Sequence, residues 1–321
     1  MSTLLLDWWT KIAPKMGLVG RDMNKPGNYT AAEAGGLWVI LASTFGILLY
    51  IAIDNYLDRA SDAIPQLSIA LTLILAGLIG YFDDFLGWKK GISPAKRILF
   101  TIPISLPLMA VKAGYSVVEL PLLGVLDLGV LYSALVVPVG VLGASNAFNM
   151  IAGYNGLEAR QGLIILFYAT LLSVLKGFTD IIYIILPTMA SILIFYLRYN
   201  KYPAKVFPGN AFTYGIGAFY ASLAIYWNFE KFAIYTFTLY FVELLLFVRG
   251  LLNKVYKENF GIAQIDGSLL PPYGKSYSLT HWAIKLSITI KSRCYEKDVV
   301  NVINILQVIV CTIALAITIA T

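Results

Sequence analysis

The sequence predicts an all-α, polytopic membrane protein with about nine transmembrane helices and a long cytoplasmic loop before the last of them. Three observations predict it. Of the 321 residues, 59% are hydrophobic and 13% charged, against roughly 25% charged in a soluble domain, and the mean hydropathy is +0.75. The apolar residues form continuous runs near the roughly 20 residues a spanning helix needs, not the ten-residue alternations of a membrane barrel. Lys and Arg are also distributed unevenly between the segments that join the runs.

In chain order, residues 1–20 carry Trp8, Trp9, Lys11 and Lys15, an interfacial amphipathic segment broken by charge and proline. It lacks the charged, apolar and cleavage-site order of a signal peptide. Apolar runs at 35–54, 64–86, 96–113, 127–151, 158–176, 179–198, 210–228 and 231–250 give eight spans. A polar excursion covers 251–298, and a ninth run lies at 299–319. Placing residues 1–33 in the cytoplasm and alternating the spans leaves 20 basic residues inside. Only Arg59, Lys112, Lys176 and Lys231 fall outside, a count of 4, which is a strong positive-inside bias. The net charge of +6 is thus mostly topology, open to anionic lipid or an anionic substrate, and does not imply nucleic acid.

Several chemistries are excluded. Cys294 falls in the loop and Cys311 in the last span, so no structural disulfide is expected. One histidine and two cysteines cannot build a zinc cluster. No Walker loop, dinucleotide fingerprint or GxSxG elbow occurs.

With this topology the unusual polar residues collect on the cytoplasmic face. Asp83 and Asp84 end an apolar run, where ionisable groups are costly and neighbouring carboxylates repel unless a cation or proton intervenes. Lys25 and Glu33 lie before the first span. Asn146, Asn149, Asn155 and Glu158 surround the fourth-to-fifth connection, and Asn210 opens the seventh run. Each has an ordinary reading too. Lys89, Lys90, Lys96 and Arg97 read first as inside-loop charges, and Asp83-Asp84 alone could be a helix-end pair. Asn146 and Asn149, three apart on one face, suit interhelical hydrogen bonds as well as ligation. Glu243, mid-span, suits structural pairing or function. Together, carboxylates, amides and lysines on one aqueous face describe a site for a phosphorylated substrate and a hard divalent ion, Mg²⁺ or Mn²⁺.

The motif order resembles the polyprenyl-phosphate N-acetylhexosamine-1-phosphate transferase superfamily, closest to its eukaryotic and archaeal branch making N-acetylglucosaminyl-diphospho-dolichol. The resemblance is carried by Asp22-Met23-Asn24-Lys25, Phe82-Asp83-Asp84, Asn146-Ala147-Phe148-Asn149, Ala152 to Ala159 and Tyr202 to Gly209. It implies one transmembrane transferase domain, 1–321, with a substrate-selecting loop at 251–298. It further implies transfer of a sugar 1-phosphate, most simply from UDP-GlcNAc, to a polyprenyl or dolichyl phosphate, with UMP released. By the resemblance, Asp83 and Asp84 assist attack by the lipid phosphate or organise the Mg²⁺ site. Lys96 joins them as a catalytic group, and Lys25 and Lys96 hold phosphates. Asn155 contacts uridine, and Glu33, Asn146 and Glu158 belong to the substrate site. Asn149 and Asn210 would be metal ligands.

Three departures stand out. Many relatives carry a further span before the Asp-x-Asn-Lys motif. The usual Gly-Asp pair is Gly209-Asn210 here, which removes a negative charge. The compact His/Arg cluster expected at 251–298 is missing, and His281 is the sole histidine. The expected setting is a prokaryotic, archaeal cell membrane, with surrounding lipid as partner and a homodimer allowed. The rival reading is a transporter or lipid flippase, which would place its ionisable groups at mid-bilayer between repeats.

Overall fold

The computed structural model describes residues 1–57, 63–85, 101–121 and 123–320. Its first helix, α1 (Ser2–Ile12), is the amphipathic segment expected from the sequence: Leu6 and Trp9 are buried while Leu4 and Trp8 face outward. A short hairpin, β1 (Val19–Arg21) with β2 (Thr30–Ala32), follows. The helices α2 (Gly36–Tyr56) and α3 (Ala63–Phe85) come next. A 3₁₀ turn and α4 (Leu106–Ala110) lead to a second hairpin, β3 (Val117–Leu120) with β4 (Gly124–Asp127). A π turn then opens into α5 (Val137–Met150), followed by α6 (Leu157–Lys176) and α7 (Thr179–Phe195). The later helices are α8 (Gly209–Tyr226), α9 (Glu230–Thr236) and α10 (Thr238–Leu252). The excursion contains hairpin β5 (Ile262–Ala263) with β6 (Leu269–Leu270) and α11 (Leu279–Lys291), before α12 (Glu296–Ala320).

Among the described residues six segments are long and apolar enough to cross a membrane, or seven if α9 and α10, bent by 55°, count as one, against the nine expected. They match the expected runs at 35–54, 64–86, 127–151, 158–176, 179–198 and 299–319, with the bent pair at 231–250. The run at 127–151 starts later than expected, because residues to Asp127 belong to β4. Residues 96–100 of the run at 96–113 lie outside the described residues, and its remainder is the short turn and α4.

The run at 210–228 is α8, which differs in kind from the other helices. Every residue from Ala211 to Ile225 is buried, including Thr213, Tyr214, Tyr220 and Ser222. A helix apolar or buried all round is a core element, and α8 is the axis on which α3, α5 and α2 pack. Close approach needs small residues: a Cβ on Gly80 of α3 would collide with the carbonyl oxygen of Asn210. Small residues give membrane helices backbone contact, and here that contact sets the end of α3 against the start of α8.

Polar side chains fasten the remaining helices. Gln161 donates to Asn304 Oδ1 at 2.9 Å and accepts from the Tyr240 hydroxyl at 3.2 Å. Gln307 donates to the carbonyl of Thr236 at 2.9 Å, and Tyr220 pairs with the Thr236 hydroxyl at 2.8 Å. These bonds cross-link α6, α12, α10, α9 and α8 inside the apolar core, each worth on the order of 1 kcal/mol in a membrane.

Candidate active site

The crossing at Gly80 delivers the acid pair to the first turn of α8. Asp84 accepts from the backbone N–H of Asn210 at 2.8 Å and of Ala211 at 3.2 Å, one through each oxygen. It therefore caps α8 from another helix, satisfying N–H groups that have no intrahelical partner. Gly209 lies at φ +68°, and a Cβ there would meet the Asp84 carboxylate, so only glycine lets the cap close. Asp83 accepts from Asn210 Nδ2 at 2.9 Å and the Tyr214 hydroxyl at 3.2 Å. Thr213, on the same turn, donates to Asn149 Oδ1 at 3.0 Å. One helical turn thus gathers Asp83, Asp84, Asn149 and Asn210.

A second group forms where the β1–β2 loop meets the α5–α6 connection and the start of α12. Lys25 contacts the Asp22 carboxylate, Asn155 Oδ1 at 2.9 Å and Glu296 Oε2 at 3.3 Å. Asn155 donates its amide to Asp22 at 2.9 Å and its backbone N–H to Glu296 at 2.6 Å, and it accepts from Ala204 N–H at 2.6 Å. Glu158 accepts from Gly153 N–H at 2.8 Å through one oxygen, and its other oxygen is buried without a hydrogen-bond partner among the described residues. A cavity of about 20 Å³, lined by Asp22, Lys25, Tyr29, Thr30, Ala31, Pro203 and Ala204, opens beside it.

Glu33 lies in the chain between β2 and α2. Its carbonyl accepts from Trp9 Nε1 at 2.7 Å, and its N–H donates to the Leu18 carbonyl at 3.0 Å. Burial holds its carboxyl above the usual range. Ala34, next in sequence, is left-handed at φ +56°, a costly conformation for a residue with a side chain. Such strain persists where surrounding contacts enforce it.

The structure therefore brings together Asp83, Asp84, Asn149 and Asn210, and separately Lys25, Asn155 and Glu158. Asn146 sits one turn from Asn149 but pairs with Thr101 at 3.5 Å and the carbonyl of Leu142 at 2.9 Å. Lys96 lies outside the described residues. Glu296, Tyr214 and Thr213 were not among the sequence candidates. Glu296 carried a usable signal, an acid at the mouth of an apolar run; nothing distinguished Tyr214 and Thr213 from packing residues.

Glu243 has a structural pairing: it contacts Lys257 and accepts from Ser278 Oγ at 3.1 Å and Leu279 N–H at 2.7 Å, tying α10 to the start of α11. His281 Nδ1 accepts from Tyr277 N–H at 3.3 Å, leaving Nε2–H to donate to the Glu258 carbonyl at 2.7 Å. Burial pushes its pKa down to about 4, so it is a neutral structural group.

Among the described residues no three His, Cys, Asp or Glu side chains are grouped to hold a metal. The oxygens around the first turn of α8 are two carboxylates and the amide oxygens of Asn149 and Asn210. That hard donor set fits Mg²⁺ or Mn²⁺ and no softer ion.

A family model described as glycosyl transferase family 4 matches residues 66–228, which include the acid pair and all of α8. A protein of Saccharolobus solfataricus, provisionally named UDP-N-acetylglucosamine–dolichyl-phosphate N-acetylglucosaminephosphotransferase, is 31% identical over 87% of this chain and 83% of its own. The Dictyostelium discoideum protein bearing that name is 26% identical over 82% of this chain and 70% of its own. A phospho-N-acetylmuramoyl-pentapeptide-transferase of Petrotoga mobilis is 26% identical over 78% of this chain and 76% of its own.

Proposed function

The chain belongs to glycosyl transferase family 4, and from that premise we propose that it transfers GlcNAc 1-phosphate from UDP-GlcNAc to a dolichyl or related polyprenyl phosphate. UMP is the second product, and the protein is a multi-pass membrane enzyme. The observation that carries the reading is the acid pair held against the first turn of α8. Relatives of the same name support the substrates.

An oxygen of the lipid phosphate attacks the β-phosphorus of the donor. The bond from that phosphorus to the bridging oxygen breaks, and UMP leaves with that oxygen. Both reactants are anionic, so positioning and charge compensation dominate the barrier. Asp83 and Asp84 are the catalytic residues, assisting the attack or organising the cation, and the resemblance adds Lys96 to them. Lys25, Glu33, Asn146, Asn155 and Glu158 form the substrate site. Asn149 and Asn210, with the acid pair, would hold Mg²⁺ or Mn²⁺. When bound, the ion would neutralise the diphosphate and ease departure of UMP.

Asn210 in this chain donates to Asp83, which steadies the acid pair without added negative charge. The basic excess inside supports a cytoplasmic active site in the cell membrane. The lipid tail can then remain in hydrocarbon while its phosphate meets the acids.

Purified protein given UDP-GlcNAc, dolichyl phosphate and Mg²⁺ should release UMP. Silence with every polyprenyl phosphate, UDP-N-acetylhexosamine and divalent ion tried would defeat the reading.

A further inference from the structure

The group around Lys25 is acidic on balance. Among the described residues Lys25 is its one buried cation, against the carboxylates of Asp22, Glu296 and Glu158. The three ammonium contacts of Lys25 already go to Asp22, Asn155 and Glu296. From these residues alone a nucleoside diphosphate would meet repulsion, so a further cation at the mouth adds to the compensation proposed for Lys96 and the divalent ion.

Most basic residues of the excursion are engaged elsewhere. Lys257 is on Glu243, Lys291 on Asp298 and Arg293 on Asp266. Lys285 donates to the Gly274 carbonyl at 2.6 Å, and Arg249 lies over the Tyr277 ring. Lys297 differs. It follows Glu296 in the first turn of α12, is exposed, and among the described residues has no carboxylate within ion-pair distance. Its ammonium rests 4.8 Å from the centre of the Tyr202 ring. Lys25 sits 4.7 Å from the same ring, so the two ammoniums are no farther apart than those distances together. Tyr202 immediately precedes Pro203 and Ala204, which line the cavity.

We propose that Lys297, resting on Tyr202, is a phosphate-binding residue of the donor pocket. The inference deepens the proposed function and rests on it. An exposed cation–π contact is worth only about 0.5–1 kcal/mol, so it holds the ammonium at the mouth without neutralising it. A phosphate oxygen offers a stronger, charge-assisted hydrogen bond, and the flexible lysine stem lets the ammonium turn from ring to ligand. Glu296 and Lys297 then divide the work of one helical turn: the first frames Lys25 and Asn155 inside, the second supplies charge at the entrance.

The test is calorimetric binding of UDP-GlcNAc, UMP and, by competition, uridine to the full-length wild type and to Lys297→Gln, Lys297→Arg and Lys176→Gln. Lys297→Gln should weaken UDP-GlcNAc and UMP by roughly fivefold to tenfold, flatten the salt dependence and leave uridine unchanged. Lys297→Arg should recover most of the loss, and Lys176→Gln, which removes an equal charge at the far end of α6, should behave as wild type. Wild-type affinity for UDP-GlcNAc in Lys297→Gln would overturn the proposal, as would an equal loss for uridine, which would report a distorted pocket. A wild type that binds no uridine nucleotide would instead fail the proposed function itself.

Discussion

Asp84 turns both oxygens toward the first N–H groups of α8, and this double role decides what its replacement does. In Asp84→Asn the amide nitrogen cannot accept from Ala211, so one cap bond is lost at about 1 kcal/mol, too little to unfold the chain. The lost charge beside the reacting phosphates should cost at least about 100-fold in turnover. UMP release and a melting curve on the same sample separate the two effects, and a fully active variant would remove Asp84 from the chemistry. His281 gives the opposite case, a titratable group whose importance is structural. Its folded pKa is lowered from 6.5 to about 4, so the unfolded chain binds the proton more readily. The stability it provides is fully present above pH 6.5 and is lost as pH falls through 4, at most about 3 kcal/mol. The melting temperature of wild type should exceed that of His281→Gln at pH 8, and the gap should close toward pH 4. A gap independent of pH would contradict the neutral, hydrogen-bonded assignment.

At the scale of elements, the α3–α8 crossing is the feature on which the site's geometry depends. Gly80→Val would press a branched side chain into the backbone of Asn210, with an overpacking cost of about 1–3 kcal/mol. It would also lift the acid pair from the α8 turn. Lower melting temperature with near-complete loss of turnover is expected, whereas Gly143→Ala, which meets nothing within 4 Å, should leave both unchanged. Equal tolerance of the two substitutions would show that α3 and α8 do not rely on contact there. The apolar runs were legible in the sequence because hydropathy and span length are properties of single segments. The acid pair was legible because carboxylates are costly in apolar surroundings. The break at Phe237 between α9 and α10 was hidden, since a continuous apolar run looks alike straight or bent. So was the enclosure of α8, because lipid and protein interior select the same apolar residues. Tyr214 and Glu296 join the site only through contacts more than a hundred residues distant in sequence, which no local pattern encodes.

Across the whole molecule, the chain alternates between two chemically different ends. The end of α3, both ends of the α5–α6 connection and the starts of α8 and α12 share the contacts of the candidate site. The opposite end carries the β3–β4 hairpin, tied to α9 by Lys231 and Glu119 at 2.5 Å, and Tyr132 bonded to Glu230. The sequence count of 20 basic residues against 4 supports the proposed cytoplasmic orientation of the site end, and the native thiols make that orientation measurable. Cys294 and Cys311 are both buried, and burial pushes the Cys294 thiol up to about 11, which keeps it from forming the reactive thiolate. A membrane-impermeant maleimide should therefore leave the wild type unlabelled. Lys201→Cys, exposed beside the site, should label only when the cytoplasmic face is opened to reagent, and Lys176→Cys, exposed at the far end of α6, should label in intact cells. The reverse pattern would invert the molecule and place its acids where a cytoplasmic sugar nucleotide never arrives.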